Sequence, residues 1–229
     1  MSNFLEEYLK ERFRQDELKK EVPGPVVTLS REYGCEANII SKKLAKKLNT
    51  NYRAFGQKGD WRIISKEVLE TSAQELKTDS KKLEHIFEES RTSIDDFLMS
   101  LAERKYYSGW KIKEVIKKVV HAFAVDGYAI IVGRAGAQIT RDIEKSLHVR
   151  LIAPVQWRVD HIAHKHNLSP KEASKKVKEM DENRRQLLDT FSKDRGCYQC
   201  YDVHYNLKFL NTDQIVSDII HMMQLKKLI

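Results

Sequence analysis

Val26-Val-Thr-Leu-Ser-Arg-Glu-Tyr-Gly-Cys-Glu-Ala-Asn-Ile-Ile-Ser-Lys-Lys-Leu-Ala-Lys-Lys-Leu48 decides the class of fold. Val26–Leu29 is a short β-branched run of strand type. A turn around Gly34 follows, and Ile40, Leu44 and Leu48 then recur at helical spacing. The unit reads strand, turn, helix. Upstream, Phe4, Leu5, Tyr8, Leu9 and Phe13 make one stripe of an amphipathic helix that Val22-Pro-Gly-Pro25 ends. Residues 1–22 are therefore expected to be a helical arm, packed on the core or on a second copy of the chain, with residues 23–229 as the main domain.

Working downstream, residues 61–118 carry almost no strand signal. Leu76, Leu83, Phe87, Phe97 and Leu101 predict a helical insertion there. Tyr128–Val132 is a continuous apolar run stopped by Gly133, as expected of a strand buried on both faces. Leu147–Ile152 is a second such run, and Val155, Val159 and Ile162 continue as helix. At Ser169-Pro-Lys-Glu172 a serine cap, a proline in the first turn and a glutamate three residues on predict a helix start, and the helix should reach about Phe191. Val203–Phe209 reads as the last strand. Asn211-Thr-Asp-Gln214 opens a final helix with Ile215, Ile219 and Met222 inward. Strands alternating with helices at this spacing predict an α/β fold, a mainly parallel sheet wrapped by helices.

Composition narrows the function. The 229 residues are 41% hydrophobic and 32% charged, too apolar for a disordered chain. No apolar run has the length of a membrane span, and the N-terminus lacks the basic-then-apolar order of a signal peptide, so a cytoplasmic location is expected. Lys and Arg number 41 against 33 Asp and Glu, a net charge of +8 that suits phosphate-bearing partners. Basic residues alternate with acidic ones along Lys171–Glu182, which argues against a nucleic-acid-binding arm. Three cysteines make no disulfide framework. Cys197 and Cys200 form half of a zinc site that His204 and Cys35 would not close, and His161, His164 and His166 lack the spacing of a metallopeptidase pair.

Ligands of such sheets bind at the carboxyl ends of the strands. Three segments fall there. Ser30-Arg31-Glu32-Tyr33-Gly34 leads from a strand into a helix, where backbone N–H groups and Arg31 suit an anion. The same stretch serves equally as an ordinary connection with a surface arginine. Gly133-Arg134-Ala-Gly-Ala137 permits close backbone approach and supplies one charge, or it provides tight helix–strand packing. Asp181, Arg184 and Arg185 share a helix face through spacings of three and four, as an intrahelical ion pair or as charges on a helix that closes over phosphates.

The order of these segments resembles the cytidylate kinase-like family. Val27–Gly34 with Ile40, Lys43, Leu44 and Ala45 resembles its phosphate-loop region, and Ile130–Arg134 resembles the family too. Leu147–Pro154, Arg158, the Ser169 cap, Asp181, Arg184 and the closing run from Tyr201 to Ile215 follow the same order. The resemblance implies a P-loop nucleoside-monophosphate kinase fold. It implies ATP with magnesium as donor, its phosphates bound by Ser30, Arg31, Tyr33, Gly34, Cys35, Glu36, Ala37, Asn38 and Ile39. It also implies a nucleoside monophosphate, CMP or a relative, as acceptor under the insertion. Arg134 would meet the acceptor phosphate, and Arg184, Arg185 and Asp181 would come from a lid-like region at about 169–200.

The chain departs from the family at the phosphate loop. A Walker A motif is absent and only Gly34 remains of the glycines. Ala37 stands where the phosphate-binding lysine is expected, and Glu36 puts a negative charge beside the polyphosphate. Lys42 and Lys43 lie on the following helix, whose geometry directs them away. Ser65 stands where relatives often carry an aspartate. These departures motivate the alternative of a catalytically inactive, kinase-like regulatory module that binds a nucleotide or a protein, with a homodimer through the N-terminal helix.

Overall fold

A computed structural model describes residues 23–51, 59–65, 117, 120–191 and 198–229. Five strands, β1 (Val26–Arg31), β2 (Arg62–Ile64), β3 (Ala129–Val132), β4 (Ser146–Ile152) and β5 (Val203–Asn206), form one sheet in the order β2-β3-β1-β4-β5. Every pair is parallel. Parallel neighbours need crossovers, and helices supply them: α1 (Ala37–Asn51), α2 (Gly136–Ile139), α3 (Val155–His166), α4 (Pro170–Phe191) and α5 (Thr212–Leu225).

The apolar runs account for the sheet's burial. Val26, Val27 and Leu29 of β1 and all four residues of β3 are buried. Along β1 the side chains alternate. Val27 and Leu29 join a core with Ile40, Leu44 and Leu48 of α1 and Ile215 and Ile219 of α5. Each buried aliphatic side chain of this kind contributes about 1.5–3 kcal/mol. Lys43 Nζ ties the same two helices at their exposed edge, donating to Thr212 Oγ1 at 2.8 Å and pairing with Asp213 Oδ2 at 2.9 Å. Thr28 and Ser30 take the opposite face, and their register partners on β4 are His148 and Arg150. Thr28 Oγ1 lies 2.9 Å from His148 Nδ1, and Arg150 Nη1 donates to Ser30 Oγ at 3.3 Å.

The helix starts form as their caps predict. Ser169 N donates to Glu172 Oε2 at 2.9 Å, and Glu172 N returns to Ser169 Oγ at 3.3 Å. Asn211 and Gln214 complete the reciprocal arrangement at α5. Four differences from expectation have physical causes. Arg62–Ile64, inside the segment expected to be helical, is an edge strand on β3, three residues long and too short to show a period of two. β5 stops at Asn206, because Leu207 N still reaches Ile152 O while Phe209 N turns back to Asn206 O. In α5 Met223 is fully buried, and Met222 packs only at the margin. Asp181 pairs with Arg158 of α3, not with an arginine of its own helix. The N-terminal arm, residues 66–116 of the insertion and Cys197 lie outside the described residues. Among the described residues no helix is long and apolar enough to cross a membrane.

Candidate functional site

The chain leaves β1 and β4 in opposite directions, the topology at whose carboxyl edge ligands bind. Two cavities lie along this edge, one of 330 Å³ and one of 220 Å³. They share Arg31, Tyr33 and Arg184.

The larger cavity has the sheet residues Thr28 and Ser30 as floor, the β3–α2 turn as one wall and α4 as the other. The turn carries its shape in three successive left-handed residues, Gly133 at φ 76°, Arg134 at 52° and Ala135 at 53°. Non-glycine residues enter that region at a steric cost, and such strain gathers at sites where a side chain must be aimed. Gly133 is needed for a second reason. A Cβ there would stand 1.8 Å from Arg31 Nη1, so the missing side chain is what lets the Arg31 guanidinium lie across the turn. Arg134 is buried beside it, 7% exposed. Met180, Leu187 and Leu188 of α4 make the facing wall apolar, with Asn183 and Arg184 as its polar part. The cavity thus joins a cationic end to an apolar side.

The smaller cavity covers the turn from β1 into α1. Gly34 has φ 93°, and a Cβ there would meet Arg158 Cβ at 3.2 Å, so the glycine lets the turn close over α3. Cys35 and Ala37 sit on this turn but point into the core, 6% and 3% exposed. Burial, with the Glu32 carboxylate second, pushes the Cys35 thiol up to about 12, so it stays protonated and unreactive. Glu36 faces α3, where Lys165 Nζ and His161 Nε2 both reach its Oε1, at 2.6 and 3.2 Å. Burial alone would raise the Glu36 carboxyl. The hydrogen bond and charge of Lys165, with those of His161, outweigh it and hold the group below the ordinary range.

Beneath both cavities a buried guanidinium joins three parts of the chain. Arg158, with its side chain 4% exposed, donates from Nε to Ala153 O at 3.0 Å and from Nη1 to Tyr33 O at 3.1 Å. Nη1 also reaches Asp181 Oδ2 at 2.5 Å, and Glu32 Oε2 lies 3.3 Å from Nε. The other Asp181 oxygen accepts from Tyr33 N at 2.7 Å. The long helix α4 is therefore fixed to the turn. Arg184, one turn beyond Asp181, then lies over the Tyr33 ring and donates to Arg31 O.

The residues singled out in the sequence divide accordingly. Arg31, Tyr33 and Arg184 line both cavities, and Gly34–Ile39 lines the smaller one. Ser30 and Arg134 line the larger. Asp181 is engaged by Arg158 and Tyr33, and Arg185 pairs with Glu182 and Asp189 on the exposed side of α4, lining neither cavity. The sequence reading missed Thr28 and Asn183 as lining residues, and Arg150, Tyr201 and Gln138 as the layer that holds the floor. Tyr201 Oη donates to Ser30 Oγ at 3.1 Å and accepts from Gln138 Nε2 at 3.2 Å. One signal was present: polar residues at alternate positions of β1 and β4, within otherwise apolar runs.

The sequence model of the cytidylate kinase-like family matches residues 26–208. An uncharacterized protein from Eubacterium ventriosum, known from its crystal structure, is similar with a TM-score of 0.59 and 18% identity, over 87% of this chain and 98% of its own. At that identity the likeness shows the fold alone. TT1252 from Thermus thermophilus, also a crystal structure, has the same coverage at 9% identity and a TM-score of 0.42. No curated protein matches the sequence.

Proposed function

Because the chain belongs to the cytidylate kinase-like family, we propose that it transfers the γ-phosphoryl group of ATP to a nucleoside monophosphate, CMP or a close relative. The observation that carries this reading is the meeting of two cavities at one pair of arginines. Arg31 and Arg184 line both, and Arg134 lines the larger. The smaller cavity takes the donor phosphates and the larger the acceptor, whose planar base suits the apolar wall of α4.

Phosphoryl transfer asks chiefly for alignment and for positive charge where negative charge develops. Arg134 holds the acceptor phosphate, while Arg31 and Arg184 bridge it to the γ-phosphate. The nucleophile is a phosphate oxygen already ionised at neutral pH, so no dedicated base is required. Magnesium would enter with ATP as part of the substrate. Asp181 serves this reaction as a positioning residue. Arg185, paired with Glu182 and Asp189 on the exposed side of α4, takes no part in the clamp. Residues 61–118 would cover the acceptor and 169–200 would act as the lid.

Calorimetric titration with Mg-ATP, followed by assay of ATP-dependent phosphorylation of CMP and the other monophosphates, tests the reading. Arg184→Ala is expected to lower kcat about 100-fold or more with little change in thermal midpoint. Unchanged turnover removes Arg184 from the clamp. The alternative, a regulatory module without catalysis that dimerises through residues 1–22, is favoured by one observation: Glu36 already engages Lys165 and His161 of the smaller cavity. Absence of ATP binding at millimolar concentration decides for it.

A further inference from the structure

We propose that α3 supplies the phosphate ligands that the β1–α1 turn lacks, Lys165 and His161, and that Glu36 is an internal anion which an incoming polyphosphate displaces. The inference rests on the reading of the smaller cavity as the donor side.

Arg31 and Arg184 also line this cavity, and three residues at or next to the turn are engaged elsewhere. Ala37 has no side chain to offer and is packed in the core. Lys43 is held by Thr212 and Asp213 on α5. Arg158 is enclosed by Tyr33, Glu32 and Asp181. Lys165 and His161 lie across the cavity from the turn, and both converge on the same Glu36 oxygen. Trp157 stacks on the His161 ring, with planes 2° apart and centroids separated by 5.3 Å, so the ring's direction is fixed before any ligand arrives. Two donors converging on one oxygen is the arrangement a phosphate oxygen requires.

A tethered carboxylate competes with a free anion at high effective concentration. It carries one negative charge. Inorganic phosphate brings little more and displaces it poorly, whereas a polyphosphate brings several charges and spans to Arg31 and Arg184 on the same cavity. The consequence is selection for polyphosphates at the expense of absolute affinity. Glu36 then has a function in this chain's altered loop: it screens the donor cavity against small anions.

The test uses the full chain, with inorganic tripolyphosphate and inorganic phosphate as probes in calorimetry. Glu36→Gln, which keeps the shape and removes the charge, is expected to bind tripolyphosphate about tenfold more tightly and to lose discrimination against phosphate. Lys165→Met is expected to weaken tripolyphosphate binding and to abolish the gain when combined with Glu36→Gln. Equal or weaker binding by Glu36→Gln overturns the proposal and leaves the kinase reading in place. A readout free of variants is the His161 ring resonance of the unaltered protein. It should move with the binding isotherm of tripolyphosphate, and a resonance that stays fixed overturns the proposal. The gain without phosphoryl transfer to any monophosphate supports Glu36 as the internal anion and overturns the kinase reading. Failure of every form to bind tripolyphosphate overturns both.

Discussion

At the scale of single residues, the site depends on a side chain that is absent. Gly133 combines a left-handed backbone with a Cβ position already occupied by the Arg31 guanidinium. Gly133→Ala must therefore displace Arg31 as well as bear the backbone cost, put at about 1 kcal/mol or more. The expected outcome is a fall of about tenfold or more in kcat/KM for the monophosphate, with a modest loss in urea-unfolding free energy. An alanine variant with unchanged kinetics would show that Arg31 does not need its place across the turn. In the sequence this position read as the end of an apolar run and the start of a small-residue segment that permits close backbone approach. The Arg31 contact depends on two strands lying side by side, and nothing local announces it.

Among the elements, α4 deserves its long sequence signature because of what is beneath it. Arg158 joins the β1–α1 turn, the end of β4 and α4 through one buried guanidinium. Removing one partner of such a group leaves buried charge without compensation, a loss of about 3–5 kcal/mol when burial is complete. Arg158→Met is expected to approach the lower end of that range, since Glu32 and Asp181 retain some access to water. It should also raise KM for both nucleotides, because Arg184 and Tyr33 lose their common anchor. Urea unfolding and steady-state kinetics of the same variant check both parts. The helix itself was legible in Ser169-Pro-Lys-Glu172, since a capping box is local chemistry. The Arg158–Asp181 bond was not, because 23 positions separate its partners in sequence. Asp181 therefore read as a partner for its own helix's arginines, when the loop between two helices had delivered another. β2 escaped notice for a related reason. A three-residue edge strand is defined by its pairing to β3 rather than by its own pattern.

For the whole molecule, the sheet's polar face sets a limit in acid. His148 lies between Thr28 and Ser146 inside the sheet, 7% exposed, and burial pushes its pKa down to about 4, against the smaller pull of Asp202. The unfolded imidazole takes up a proton near pH 6.5, and the native one near pH 4. Its contribution is therefore intact above about pH 6.5 and is lost as pH falls from there towards 4. The loss amounts to about 2–3 kcal/mol by pH 4.5. Urea denaturation at pH 7 and 4.5 should show that difference, and His148→Gln should flatten it. An equal pH dependence in the variant assigns the acid sensitivity to other groups.

The strand order also bears on how the chain comes to be folded. β1 sits at the centre of the sheet, yet both its neighbours, β3 and β4, begin more than 100 positions later in the chain. A nascent chain that has emerged only as far as α1 and β2 has no strand with which β1 can pair. Its most apolar segment must wait while about 100 further residues are made, several seconds or more at typical elongation rates. The closure of so long a loop before any reward in contacts also places this topology among the slow folders. The lysine-rich α1 that follows β1 at once is then more than a crossover. While the ribosome finishes the sheet, it is the charged, soluble escort of the strand on which every later element is built.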